Sequence, residues 1–343
     1  MIDGSVATFT GLIDLAAEGL GGRALSASDE FFAAAENLVK PGRGVFIEGK
    51  FTDRGKWMDG WESRRKRSPG HDWCIVELGA TGRIFGFDID TNHFIGNSPS
   101  FASVDALSAD RRTPRGELAR LPWVELLAPS PLRPGSQNLF AALPGDPVTH
   151  VRLNIFPDGG VARFRAFGRA HPTWDPPDID AETQNHVSTG WFDLVSLKSG
   201  GLALACSDAF FGPMNNLLLP GRAENMGGGW ETRRRRGPGH DWILVRLGAR
   251  GTVGCVEVDT RHFLGNSPDR CSIEWIDAPE ARVPDLLARS DWATLLDETR
   301  LRPGARHFFT DALTARSSSV SHLRLNVFPD GGVSRLRGWG VPR

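Results

Sequence analysis

Residues 61–73 read WESRRKRSPGHDW, and at 230–242, 169 residues later, the chain reads WETRRRRGPGHDW, identical at ten of the thirteen positions. Two further blocks return in the same order: DTNHFIGNSP at 90–99 as DTRHFLGNSP at 259–268, and HVRLNIFPDGGVARFR at 150–165 as HLRLNVFPDGGVSRLR at 322–337. A spacing near 170 residues is that of a whole domain, not of a solenoid unit, so the fold must be one that two copies of a single domain adopt. The third block is spaced by 172, which puts a three-residue length difference in the loop before it. Upstream, SDEFF at 28–32 returns as SDAFF at 207–211, a spacing of 179, so the first copy carries about ten extra residues within VFIEGKFTDRGKWMDG. Such a length change is cheap only in a surface connection. The expected boundaries are a first repeat over 1–168, a Pro- and Asp-rich connection over 169–185 and a second repeat over 186–343.

Each copy is large enough to bury a core without staples. The four cysteines, Cys74, Cys206, Cys255 and Cys271, do not fall at equivalent positions of the two copies. This argues against a disulfide framework or a repeated thiolate metal site and for a reducing compartment. Lys plus Arg number 40 against 41 Asp plus Glu, a net charge of −1, so no global field gathers nucleic acid or a membrane surface. The N-terminal stretch, with Asp3, Asp14 and Glu18, does not read as a secretory signal, and no segment is long and apolar enough to span a bilayer. The expectation is a soluble, cytoplasmic homo-oligomer that binds a small molecule, with no nucleic-acid or membrane partner.

Short β-rich runs with frequent Gly and Pro dominate, and helical periodicity is scarce. WCIVELGATGRIFGFDID and WILVRLGARGTVGCVEVD each read as two short strands about a Gly-containing turn, hence a β-hairpin in each copy. RLNIFPDGGVARFR places Pro-Asp-Gly-Gly between two alternating stretches and reads as a second hairpin. Short helices are expected at SASDEFFAAAENLV and around PWVELLAPSPL and DWATLLDETRL. Many short strands without βαβ alternation give an all-β class: two tandem jelly-roll β-sandwiches with minor helices.

The block Trp-Glu-(Ser/Thr)-Arg-Arg-x-Arg-x-Pro-Gly-His-Asp-Trp concentrates carboxylates, guanidiniums and an imidazole. A loop of that kind can grip an anion bidentately and place proton-transfer groups beside it. The alternative is a solvated basic loop or a set of structural ion pairs. In the second block, Asp90 with His93, and Asp259 with His262, read as a base and its orienting partner or as two ligands of a divalent metal. They read equally as a turn organised by the Asp side chain, with Gly-Asn, including Asn97 and Asn266, supplying a left-handed position. In the third block Asp158 and Asp330 read as turn residues, and Arg152 and Arg324 either pair a buried carboxylate or reach the site. His150 and His322 have no assigned role. No spacing is diagnostic of a metal, so no cofactor is certain and a divalent ion stays possible.

MDGWESRR…GHDW followed by DIDTNHFIGNSP, with NMGGGWETRRRRGPGHDW and VDTRHFLGNSPDRCSIE in the second copy, resembles the allantoicase family over nearly the whole chain. The resemblance implies jelly rolls of the galactose-binding-like kind and hydrolysis of allantoate to ureidoglycolate and urea in purine breakdown. Allantoate carries a carboxylate and two ureido groups on one carbon. Its site therefore needs arginine for the carboxylate, amide or carbonyl partners for the ureido groups, and an acid/base pair. The expected clamp is drawn from Arg64, Arg65, Arg233 and Arg234. The acid and base are drawn from Glu62, His71, Asp72, Asp90 and their counterparts Glu231, His240, Asp241 and Asp259. Competing readings are a non-catalytic jelly-roll module for sugars or other small ligands, a hydrolase of a neighbouring ureido acid such as ureidoglycolate, and nucleic-acid binding through the arginine runs, which the near-neutral charge disfavours.

Overall fold

The structure is a computed structural model that describes residues 8–314 and 318–343. The chain divides into two compact units, Met1–Pro172 and Thr173–Arg343. Each is built around one exceptionally long strand, Asp72–Asp90 in the first and Asp241–Asp259 in the second, each of 19 residues.

In the first unit the two halves of that strand belong to different layers. Asp72–Glu77 lies between Val148–Phe156 and Arg23–Ala27. Gly82–Asp90 lies between Arg163–Ala170 and Leu139–Ala141. The first layer continues through Phe101–Leu107 to Val124–Pro131, and the second ends on Ile13–Asp14. Every pairing is antiparallel, and Cys74, Val76, Leu78, Phe87, Ile89, Val151, Leu153 and Phe164 fill the space between the layers. The rings of Phe87 and Phe164, on adjacent strands of the second layer, stack at 5.8 Å. The second unit repeats the plan, with Asp241–Arg246 between Val320–Phe328 and Leu202–Cys206 and the other half between Arg335–Pro342 and Arg306–Phe309. Both units are all-β jelly-roll sandwiches with minor helices, as expected.

The hairpins expected in each copy are corrected. The halves of Asp72–Asp90 never pair with each other, because the chain crosses between layers at Gly79–Gly82 instead of folding back. Neither glycine adopts a positive φ. They are needed for close approach: a Cβ on Gly79 would lie 2.7 Å from the Leu20 carbonyl, and one on Gly82 2.6 Å from the Arg169 oxygen. RLNIFPDGGVARFR is likewise a crossing. Val148–Phe156 pairs with the first half of the long strand and Arg163–Ala170 with the second, so the long strand takes the place each would have given the other.

Two expected helices are also corrected. Residues 124–131 and 293–300 are strands, because each finds a ladder partner on the neighbouring strand, and tertiary pairing overrides a weak local helical preference. SASDEFFAAAENLV yields only a short 3-10 turn at Ala35–Val39, and the short α-helices are Arg115–Leu118, Ala181–Gln184 and Val283–Ala288.

The crossing strand decides where the repeated polar blocks gather. Asp72 stands beside Ile155 and Asp90 beside Arg163, and these neighbours are separated only by the connection 156–162. Both ends of the strand, and all three repeated blocks, therefore meet at one end of the unit.

Gly79→Ala is expected to destabilise the protein by about 1–3 kcal/mol, since the backbone of Leu20 has to give way. Gly116→Ala, with nothing within 4 Å, is expected to stay within about 0.5 kcal/mol. Urea denaturation of both variants checks this; equal effects would mean that the crossing tolerates a side chain.

Candidate active site

Trp61 anchors the loop end of the first unit. Its ring is fully buried and its Nε1 donates to the Asp29 carbonyl at 2.8 Å. That anchor sets the next residue, Glu62, half-buried, with Asn97 Nδ2 donating to its Oε1 at 2.7 Å. Burial pushes the Glu62 carboxyl above its usual range, and the Asn97 hydrogen bond offsets this only in part. Backbone bonds knit the blocks together: Ser63 N to Gly159 O at 3.1 Å, Gly160 N to Asn97 O at 2.8 Å, and Ala162 N to Asp90 O at 2.7 Å. Asp158 accepts from Lys66 N at 2.8 Å, a turn role as expected.

The arginines of the first block divide into held and free. Arg64 is held by Asp29, with Nε at 2.8 Å and Nη2 at 2.7 Å from Oδ2, and its guanidinium lies 5.1 Å from the centre of the Phe31 ring. Arg233 is held in the same way by Asp208, at 2.9 Å. Arg65 and Arg234 are exposed and have no polar partner among the described residues. Asp72 is buried and accepts from Ser28 Oγ at 2.8 Å and Lys66 Nζ at 2.7 Å, while Asp241 accepts from Ser207 and Arg235. The exposed His71 packs its ring on Phe156, and His240 on Phe328, both at 4.7 Å.

A second group forms where the long strand ends. Asp90 receives Arg43 side-on, Nε to Oδ2 at 2.8 Å and Nη2 to Oδ1 at 2.9 Å, and caps its own turn by accepting from Asn92 N at 2.9 Å. Asp88, two residues earlier on the same face, accepts from Gln137 Nε2 at 2.7 Å. Burial, reinforced by the charge of Asp90, raises its carboxyl to about 6, with Gln137 opposing. In the second unit Asp259 accepts from Arg261 N at 2.8 Å and faces Arg222 at 3.4 Å.

His93 and His262 themselves hold the left-handed positions of their turns, with φ of 67° and 73°, correcting the expectation that Gly-Asn would do so. Asn97 and Asn266 are thereby released to reach Glu62 and Glu231. The His93 ring lies 5.8 Å from Phe46, and His262 Nε2 is 2.8 Å from the Ala223 carbonyl. Among the described residues no three His, Cys, Asp or Glu side chains gather as a metal ion would require.

Arg152 and Arg324 stand apart, on a sheet face. Arg152 pairs Asp105 through Nε at 3.0 Å and Nη2 at 2.7 Å, over the Trp123 ring. Arg324 pairs Glu274 at 2.7 and 2.8 Å, over Trp292. In the second unit this face borders a cavity of about 630 Å³ whose walls include His240, Trp242, Glu274, Asp297, Arg324 and Asn326. Burial pushes the Glu274 carboxyl up, but the Arg324 and Asn326 hydrogen bonds outweigh it and hold the group below its usual range. His150 and His322 are buried beside Thr149 and Ser321, and burial lowers both, His322 to about 4.

Sequence reasoning missed Asp29, Arg43, Asp88 and Gln137. A signal existed for two of them: Pro-Gly-Arg occurs at 41–43 and 220–222, and Asp88 alternates with Asp90 in FDID.

The sequence profile of the allantoicase repeat matches residues 13–171 and again 192–343. A Burkholderia mallei protein named probable allantoicase 1 is 44% identical over 330 residues, 96% of this chain and 94% of its own length. A Photobacterium profundum protein named probable allantoicase is 46% identical over 333 residues, 97% of each. The crystal structure of allantoicase from Saccharomyces cerevisiae superposes with a TM-score of 0.80 at 34% identity, covering 97% of this chain and 96% of that one.

The raised Asp88 carboxyl carries a signed prediction. The fold binds its proton more tightly than the unfolded chain does, so its stabilising contribution is full below pH 3.8 and is lost as pH rises through about 6. Asp88→Asn cannot ionise. It is expected to exceed the wild type by on the order of 2 kcal/mol at pH 8, the difference shrinking toward zero as pH falls to 4. Paired melting curves across that range test it, and a pH-independent difference would refute it.

Proposed function

The chain belongs to the allantoicase family and hydrolyses allantoate to ureidoglycolate and urea in purine breakdown, and we propose that the loop end of the first repeat carries out this reaction. The reaction breaks the bond between the central carbon and one ureido nitrogen and forms a bond from that carbon to a water oxygen. The departing nitrogen needs a proton, and the water must lose one. Glu62 supplies both transfers in turn: its carboxyl, biased toward the protonated form by burial, gives its proton to the leaving urea, and the resulting carboxylate takes one from water. Asn97 fixes the orientation of that carboxyl. Arg65 takes the substrate carboxylate with its fork. Arg64 orders the loop instead, since Asp29 already holds it. Asp72 and Asp90, both buried and ion-paired, position the loops.

The observation that supports this site is that Arg65 is free of protein carboxylates while standing three residues from a carboxyl raised by its surroundings. The cavity bordered by His240, Glu274 and Arg324 supports a second reading, in which the second repeat binds the substrate.

We further propose that the protein works in the cytoplasm as a homo-oligomer. Cys74, Cys206 and Cys271 form no disulfide, and Phe210 and Phe211 are 64% and 60% exposed. Among the described residues no helix is long and apolar enough to cross a membrane.

Urea release from allantoate, with ureidoglycolate as the competing substrate, is the assay. Glu62→Gln is expected to lower kcat by about 10²–10⁴ with little change in KM, and Arg65→Lys to raise KM by about tenfold or more. Wild-type rates in both variants, with loss of rate in Glu274→Gln, would move the chemistry to the second repeat. Light scattering that finds a monomer would overturn the oligomer.

A further inference from the structure

The two repeats differ at one place where the second copy supplies from its own chain a group that the first copy lacks. Arg306 in the second unit is the counterpart of Gln137 in the first, as Glu257 is of Asp88 and Arg222 of Arg43. The side chain of Arg306 is only 2% exposed. Its guanidinium donates to Glu257 at 2.8 Å on one side and to Glu182 and the Thr183 hydroxyl, both at 2.6 Å, on the other. Asp180 completes the enclosure at 3.2 Å and also takes Arg222 at 2.7 Å. A planar fork of N–H donors thus sits between a strand carboxylate and the segment that carries Asp180 and Glu182.

In the first unit the strand carboxylate remains but the fork is gone. Asp88 is 4% exposed, and its Oδ1, like Glu257 Oε2 in the second unit, is buried with no side-chain hydrogen-bond partner among the described residues, so what sets the first copy apart is the missing guanidinium. Gln137 reaches only Oδ2 and is itself exposed to solvent. Asp is a methylene shorter than Glu and Gln lacks the guanidinium, so among the described residues no side chain of the first copy fills the place that Arg306 fills in the second. Arg43 is half exposed and holds Asp90 alone, whereas Arg222 is divided among Asp180, Glu257 and Asp259. A buried acceptor without a donor costs stability unless a ligand supplies one.

A ureido group is planar and presents adjacent N–H donors, which makes it the uncharged counterpart of a guanidinium. We propose that Asp88, Gln137 and Arg43 form a ureido-binding subsite of the first repeat, in which the N–H groups of the substrate take the place that the Arg306 guanidinium fills in the second. Asp88 Oδ1 accepts from the ureido nitrogens, Arg43 donates to the ureido oxygen, and the exposed Gln137 side chain turns aside to admit the group. Arg306 acts as a built-in occupant that closes the same place in the second repeat. This subsite rests on the reading that the chain acts on allantoate.

The test uses the full chain and two probes. N-Carbamoylglycine carries a carboxylate and one ureido group, and N-acetylglycine keeps the carboxylate but lacks the terminal amide nitrogen. By calorimetry the wild type is expected to bind the ureido probe about tenfold or more tightly than the acetyl probe, because a site built around a hydrogen bond rejects the analogue that lacks it. Asp88→Ala is expected to erase that preference, and Gln137→Arg, which installs the guanidinium of the second repeat, to abolish binding of the ureido probe and urea release. Arg306→Gln is expected to keep the wild-type preference. Circular dichroism monitors folding, and the isosteric Asp88→Leu, which has no acceptor, replaces Asp88→Ala if the latter fails to fold. No preference in the wild type, or an undiminished preference in Asp88→Ala and Gln137→Arg, would overturn the subsite. A wild type that releases no urea from allantoate would instead overturn the functional reading on which it rests.

Discussion

Covalent continuity of one strand through both layers of a sandwich is the constraint on which each unit depends. Because Asp72–Asp90 is shared, the two layers cannot slide in register independently, and a slip by one residue would turn buried Val76, Phe87 and Ile89 outward together. The same continuity brings Asp72 and Asp90 to one end, where each is buried and paired with a cation from a loop, Lys66 or Arg43. Removing one partner of such a pair leaves an uncompensated buried charge, which costs far more than the pair itself contributes. These two aspartates therefore fix the loops that present Glu62, Arg65 and Asn97, and they do so whether or not they ever touch a substrate.

Most of the fold class was legible because duplication prints it twice. The alternating runs and turn residues gave an all-β sandwich, and the repeated blocks marked the end that gathers polar groups. The crossings were illegible for a specific reason. A strand–Gly–strand run reads as a hairpin when glycine supplies a positive φ, but Gly79 and Gly82 serve close approach, which depends on Leu20 and Arg169 far away in sequence. PWVELLAPSPL reads as helical until its ladder partner Phe101–Leu107 is known. The proposed site was legible in part: Glu62 and the arginine run stood out, while the difference between a held Arg64 and an unpaired Arg65 turns on Asp29, thirty-five residues away from Arg64.

The duplication also shows how a framework is separated from a function. What both copies keep is the framework: the buried Trp61 and Trp230 with their carbonyl partners, the Asp29–Arg64 and Asp208–Arg233 pairs, and the Glu62–Asn97 and Glu231–Asn266 bonds. Their retention is equally what stability alone requires, so symmetry does not identify a catalytic copy. Differences are more informative, because a departure at a buried polar position is costly unless something offsets it.

Two such departures flank the same residue. The extra residues of the first copy leave the framework at Gly44, whose carbonyl accepts from Asn92 Nδ2 at 2.9 Å, and return by Asp59, which is paired with Arg163 at 2.7 Å. Both contacts adjoin Asp90, directly in the turn after it and across the ladder from it. The insertion exposes Val45, Phe46, Ile47 and Phe51, an unfavourable use of apolar surface for a free loop, while cation–π contacts of Lys50 on Trp57 at 3.7 Å and Lys56 on Phe46 at 4.4 Å give it internal order. Gln137, the other departure, reaches Asp88 on the strand that ends at Asp90. An ordered wall added on one side and a guanidinium withdrawn on the other change the same carboxylate end in the first copy only. A repeat that merely supported its twin would have no need of either change, and this asymmetry supports the proposal that the first repeat carries the chemistry.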